Sequence, residues 1–228
     1  MSREVKERFI RIADKYDFMN HFLSMDADRE WRHDAAKEAM LPKRSFVVLD
    51  SATGTGDLAF AVRDLALLKG KRVRLIGTDF VAQMLEIAKK KAREAGIEDI
   101  DFRLSDSLRT GFKSGSVDVV TTGFSLRNFD DVNAFLVESY RILKKGGRLV
   151  ILEMAMPDDR VERMKFNVYS YFIRLASLFS DRAYSWLVES IKEFDKHALV
   201  VNTRRAGFKG VRMRSLRSGV AYLLTAER

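Results

Sequence analysis

At 228 residues the chain is long enough for one domain with a full core, and with no cysteine it has no disulfide, thiolate metal site or cysteine nucleophile. Its three histidines, His21, His33 and His197, show no metal-ligand spacing, so no metal is expected, and no apolar run approaches the ~18 residues of a membrane span. The net charge of +9 raises nucleic acid as a partner, which the distribution of the charge must decide; the absence of a signal-peptide pattern points to the cytoplasm.

In chain order, an amphipathic helix is expected over about 2–15, then the segment Tyr16-Asp17-Phe18-Met19-Asn20, then a helix near 28–40 ended before Pro42. Strands are expected near 46–51, 73–79, 100–105, 117–123 and 147–153, with helices near 57–69, 81–95 and 130–144 between them. Asp130 or Asp131 starts the last of these helices, and Lys144-Lys145-Gly146-Gly147 is expected to stop it with cations at the negative end of the dipole and a C′ glycine. Apolar strands alternating with helices predict a doubly wound α/β fold, a mostly parallel sheet covered on both faces. Beyond Pro157 the pattern changes to helices near 160–179, 182–194 and 196–206, then strands near 210–216 and 220–226 joined at Arg217-Ser218-Gly219 as an antiparallel hairpin. We read a single domain, with 1–42 as a helical cap and 156–195 as a helical insertion over the active face.

The chemistry starts at Val48-Leu49-Asp50-Ser51-Ala52-Thr53-Gly54-Thr55-Gly56-Asp57. Here a strand ends in an acid and a glycine-rich turn opens a helix; the next strand ends in a second acid, Asp79, followed by Phe80. Ligands bind at the carboxyl ends of parallel strands, and Asp79 is placed to accept from both hydroxyls of a ribose. The same residues match the dinucleotide pattern G-x-G-x-x-A, and charge decides between the two. A pyrophosphate on the helix N-terminus would be opposed by Asp50 and Asp57, whereas S-adenosylmethionine (SAM) brings a sulfonium and an ammonium that an acid attracts. We therefore expect SAM, with Asp50 facing its methionine part, Ala52, Gly54 and Gly56 allowing close approach, and Asp57 capping its helix. The third strand ends in Asp106-Ser107, where an acid can accept from the adenine amino group. The fourth ends in Phe124-Ser125-Leu126-Arg127-Asn128, a polar cluster beside the cofactor that reads as a substrate site, although Asn128 can also be a cap and Arg127 a surface charge.

Between Asn202 and the C-terminus seven basic residues face one acid, Glu227. Because Arg212 and Arg214 alternate as a strand's solvent face does, a solvated edge is preferred to a phosphate-binding patch or a lipid-headgroup contact, and no nucleic-acid partner is expected.

The segments Tyr16 to Asn20, Val48 to Asp57, Phe124 to Asn128, Tyr140 to Leu149 and Tyr184 to Ile191 together resemble the ubiquinone/menaquinone biosynthesis C-methyltransferase family, in the same order and over nearly the whole chain. The resemblance implies a seven-stranded class I fold that uses SAM to methylate a ring carbon of a prenylated quinol. It assigns Asp50, Gly54, Gly56, Asp79 and Asp106 to the cofactor, and Tyr16, Arg127 and Asn128 to the quinol. Three departures stand out: Thr53 and Lys145 where the family has glycine and proline, and Asp26-Ala27-Asp28-Arg29-Glu30-Trp31 where it has G-x-H-R-x-W.

The chemistry then asks for in-line alignment of the methyl donor and an electron-rich ring carbon. Arginine is no base, so Arg127 is expected to stabilise a developing phenolate, with Asn128 and Tyr16 orienting it and Ser125 and Phe124 lining the site. Rival readings are a nucleic-acid methyltransferase, a non-catalytic SAM binder and a methyltransferase of another phenolic or lipid-like acceptor. The missing cysteine and the lack of an Asn/Asp-Pro-Pro-aromatic motif argue against the first. The helix from about 161 to 179 is apolar over much of its circumference, which suits core packing or a homodimer seam, or a lid and channel for an isoprenoid tail with peripheral contact at the inner membrane face.

Overall fold

The computed structural model describes residues 10, 24, 26–177, 183–217 and 219–228, with the side chains of 172–177 and 183–185 excepted. Tyr16, its neighbours and, Ile10 apart, the expected helix over 2–15 lie outside the described residues.

The elements run α1 (Ala27–Ala39), β1 (Ser45–Ser51), α2 (Asp57–Leu68), β2 (Arg72–Asp79), α3 (Ala82–Glu94), β3 (Ile100–Leu104), β4 (Val117–Gly123), a 3₁₀ turn (Leu126–Asn128), α4 (Val132–Ile142) and β5 (Leu143–Met154). There follow α5 (Arg160–Ser177), α6 (Ala183–Glu193), α7 (Lys196–Arg205), β6 (Lys209–Ser215) and β7 (Ala221–Glu227). All seven strands form one sheet in the order β3-β2-β1-β4-β5-β7-β6. The first five are mutually parallel, and β7 runs antiparallel to both β5 and β6. The order reverses between β1 and β4, and at such a switch point the loops leaving the carboxyl ends part to form a crevice.

Period-two alternation divides the strand residues between two cores. Val48, Leu75, Val119, Val150 and Leu223 join the core shared with α1 and α2. Their immediate neighbours Leu49, Ile76, Val120, Ile151 and Leu224 join the one shared with α4 and α7. A strand buried on both faces has no polar side to show, which is why these strands read as continuous apolar runs. Each such Leu, Ile or Val contributes about 1.5–3 kcal/mol by leaving water.

Two local expectations need correction. Asp57 does not cap α2: the cap position is Gly56 at φ 90°, and no side chain caps that end. Nor does a C′ glycine end α4; the chain passes at Leu143 from helix directly into β5. Gly146 and Gly147 instead sit inside the strand, where pairing with β4 jumps from Val117–Leu143 to Val119–Arg148. A Cβ on Gly147 would lie 2.8 Å from the Lys144 carbonyl oxygen and 3.0 Å from that of Asp118, so the bulge needs glycine. Asp131 does start α4, accepting from the Ala134 N–H at 2.9 Å. The hairpin at the C-terminus also forms, with the Leu216 N–H donating to Ala221 at 2.8 Å and Arg212 and Arg214 exposed along the edge strand.

Candidate functional site

The crevice is built by the loops after β1, β2 and β4. Two non-glycine residues around it hold backbone conformations that glycine favours, Ala52 at φ 53° and Phe124 at 57°, alongside Gly54 at 57° and Gly56 at 90°. A positive φ on phenylalanine costs free energy, and such strain collects at ligand sites. Thr53 is not among these residues, so the departure from glycine there causes no strain; its hydroxyl donates to Asp50 at 2.5 Å.

Asp50, next to last in β1, is only 1 % exposed. The register sets Asp50 opposite Thr121, whose hydroxyl donates at 2.6 Å. Burial pushes this carboxyl up to about 6, with the Thr121 and Thr53 hydroxyls pulling the other way. Asp79 ends β2. Its Oδ2 accepts from the Gly54 N–H and its Oδ1 from the Val81 N–H, both at 2.9 Å, so it staples the glycine loop to the β2 loop. Burial raises its pKa too, and those backbone donors oppose the rise.

Asp79 lines a cavity with Ala52, Gly54, Phe80, Val81, Met84, Gly123, Phe124, Ser125 and Asn128. Beside it a second hollow is lined by Arg32, Asp50, Thr53, Gly54, Thr55, Asp57 and Phe124. A Cβ at Gly54 would meet nothing within 4 Å, so the loop leaves open space there. Buried acid opposite that space suits a cationic cofactor, and the residues present fit SAM. Asp106 and Ser107 lie to one side. Asp106 is exposed, turning back to accept from the Leu108 N–H at 2.9 Å, while Ser107 is buried and accepts from the Ser51 hydroxyl at 2.9 Å.

The turn after β4 separates Asn128 from Arg127. Asn128 is 6 % exposed, lines the cavity with Asp79, and neither its Nδ2 nor its Oδ1 has a hydrogen-bond partner. Arg127 instead lines a cleft of about 260 Å³ with Leu126, Phe129, Val132, Phe194 and Leu199. Its guanidinium is tied through Nη1 to Glu153, with side chains only 2 % and 3 % exposed, and its Nε is left without a partner. Arg127 is thus neither a surface charge nor a cation free of its own counter-ion.

Sequence reasoning missed Glu153 and Arg32. Glu153 sits near the carboxyl end of β5 in an apolar run, the same strand-end signal that singled out Asp50 and Asp79. Arg32 falls on the buried stripe of α1, which comprises Asp28, Trp31, Arg32, Ala35, Ala36 and Ala39; a charged pair four residues apart on an apolar face was the available signal. Thr55, 2 % exposed on the cofactor side, was also overlooked.

Comparison with known proteins agrees with this geometry. The ubiE/COQ5 methyltransferase family matches residues 1–227. A demethylmenaquinone methyltransferase of Bacteroides fragilis is 38 % identical, covering 99 % of this chain and 92 % of that protein. One of Thermus thermophilus is 39 % identical, covering 96 % and 99 %. Among solved structures, a SAM-dependent methyltransferase from Aquifex aeolicus shares the fold with a TM-score of 0.62 at 17 % identity, over 86 % of this chain and 88 % of that one. The chain belongs to the ubiE/COQ5 methyltransferase family and is a methyltransferase whose methyl donor is SAM.

Proposed function

We propose that the protein methylates a ring carbon of a prenylated quinol in the biosynthesis of a respiratory quinone. The observation that carries this reading is the buried, unsatisfied amide of Asn128, which lines the cavity with Asp79, with a second buried donor lacking a partner, Arg127 Nε, on the same turn. A buried donor without a partner costs about 1–3 kcal/mol, a cost that an incoming acceptor relieves. A quinol ring becomes nucleophilic at carbon as its hydroxyl loses its proton, and the resulting oxyanion is such an acceptor.

SAM supplies an already activated methyl group. In this reading Asp50, Ala52, Gly54, Gly56, Asp79, Phe80, Asp106 and Ser107 bind it, while Phe124 and Ser125 shape the ring site. Glu153 holds Arg127 by Nη1, so that Nε remains for the substrate oxygen and Asn128 orients the ring. Tyr16 keeps the role that the family resemblance assigns it. The names of the relatives, demethylmenaquinone methyltransferases, support the quinol class.

The reading includes peripheral contact with an anionic membrane surface. Along α5, Val161, Met164, Val168 and Tyr171 are each more than half exposed and lie at helical spacing, with Arg160, Arg163 and Lys165 among them. Among the described residues no helix is long and apolar enough to cross a membrane.

The test is transfer of an isotope-labelled methyl group to demethylquinols of increasing prenyl length, with and without anionic liposomes, and mass spectrometry locating the label on the ring. We expect turnover to rise with tail length, since each buried methylene contributes about 0.8 kcal/mol, and to rise further with liposomes. No ring methylation of any quinol by protein that binds SAM would refute the assignment. Indifference to liposomes, with α5 self-associating, would make that face a seam between two copies.

A further inference from the structure

The buried stripe of α1 poses a physical question. Four of its six residues are Trp31, Ala35, Ala36 and Ala39, which pack against the sheet, but Asp28 and Arg32 are charged and their side chains are 2 % and 9 % exposed. Packing alone does not call for them, because desolvating an ion pair costs more than an apolar pair of similar volume would. The pair also faces a cavity. Arg32 shares the hollow with Asp50, Gly54, Asp57 and Phe124, and its guanidinium carbon lies 5.3 Å from the centre of the Phe124 ring. Asp28 holds Nη1, whereas Nη2 stands 3.5 Å from Asp57 Oδ2, an oxygen with no hydrogen-bond partner. Lys91 holds the other oxygen of Asp57.

We infer that Arg32, oriented by Asp28, anchors the α-carboxylate of the methionine part of SAM; the inference rests on the placement of SAM in this crevice. The charges match the ligand. Of the charges that line the hollow, Asp50 and Asp57 against Arg32 leave one negative charge in excess, and SAM, with its sulfonium, ammonium and carboxylate, carries one positive charge. The carboxylate needs a cation on the otherwise acidic wall, and among the described residues Arg32 is the cation that lines this hollow. Its planar fork of five N–H donors has capacity left after the contact to Asp28, and a guanidinium recognises a carboxylate through paired donors. The departure from the family pattern at Asp28 then acts on the cofactor's amino-acid end, where it holds Arg32, rather than on the acceptor ring.

The experiment is calorimetry on the full chain with four ligands: SAM, S-adenosylhomocysteine, decarboxylated SAM and 5′-methylthioadenosine. The first two carry the carboxylate and the last two lack it. Arg32→Gln is expected to weaken the first two by about tenfold or more and to change the last two by less than about twofold. Asp79→Ala, which disrupts the nucleoside end, is expected to weaken all four. Equal losses across the four ligands in Arg32→Gln would make Arg32 a structural clamp and overturn the inference, as would no loss for SAM. Binding of none of the four by the unaltered chain would remove the cofactor site itself, and the anchor with it, a result distinct from either. Should Arg32→Gln not fold, Arg32→Lys keeps the stem and the charge. A loss confined to the carboxylate-bearing ligands then supports the anchor, and a uniform or absent loss overturns it.

Discussion

The two halves of the crevice are built on opposite terms. On the β1–β2 side the protein already satisfies its two strand-end acids: Asp79 takes the Gly54 and Val81 N–H groups, and Asp50 takes the Thr53 and Thr121 hydroxyls. On the β4–β5 side it leaves buried polar atoms wanting, at Arg127 Nε and at both polar atoms of Asn128. A pre-satisfied acid stays ordered without ligand and still has lone pairs to offer, so the cofactor half is preorganised. Orphaned donors are destabilising until a ligand arrives, which suits the half where, in the proposed reaction, charge develops. Stability and the proposed chemistry are thereby separated between the loops of β1 and β2 and the turn after β4.

The sharpest way to break this contrast is Arg127→Ala. If its orphan donor matters chiefly once phenolate charge forms, turnover should fall on the order of 10²–10³-fold while SAM affinity stays near that of the unaltered protein. The variant also leaves Glu153 buried without its counter-ion, a loss of about 3–5 kcal/mol that thermal unfolding should register. Equal losses in SAM affinity and turnover would instead assign Arg127 to the cofactor half.

A smaller effect should come from acidifying the cofactor half. The Asp50 carboxyl is raised from 3.8 to about 6. Above pH 6 it is charged and attracts the cationic donor; as pH falls through 6 it takes up a proton and that attraction is lost. SAM affinity should therefore hold above about pH 7 and drop by up to about tenfold per unit below 6. Folding stability moves the opposite way. A buried acid whose pKa is raised destabilises the folded chain when ionised, so this group's contribution improves as pH falls from about 6 towards 3.8. Asp50→Asn should remove this group's share of both trends; Asp79, whose pKa is also raised, contributes to stability in the same sense, and Asp118, Glu138 and Asp158, held low by their partners, in the opposite sense. An affinity flat from pH 7 to 5 would mean that Asp50 does not face the donor's charge.

The smallest expected effect is the most unusual in sign. Asn128→Leu replaces an unpaired buried amide with an apolar group of similar volume, so the ligand-free protein should unfold at the same temperature or slightly above, by up to about 1 kcal/mol of added stability. Methyl transfer should nevertheless fall. A variant that loses stability as well would show that the Asn128 amide already serves the fold.

Local signals in the chain were enough for the α/β pattern, the strand-end acids Asp50 and Asp79, the Asp131 cap and the C-terminal hairpin. Each depends on residues close in sequence: a period of two or 3.6, an acid ending an apolar run, a short polar residue before a helix. Where the outcome hung on a distant neighbour, the local signal misled. Gly146-Gly147 resembles a helix stop, yet the Asp118 backbone 3.0 Å from the Cβ position of Gly147 turns the pair into a strand bulge. Asp57 reads as a cap, yet the cap position falls on Gly56, and Lys91, from another helix, holds one oxygen of the Asp57 carboxylate. Arg127 reads as a cation for the substrate, and only the parallel pairing of β4 with β5 brings Glu153 against it. By itself, then, the sequence determined the fold class, the methyl donor and the acids at the ends of β1 and β2, because those follow from periodicity and strand-end chemistry. Which charges are neutralised and which donors are left waiting was decided by the tertiary structure, because an ion pair forms between side chains that the fold, not the chain order, makes neighbours.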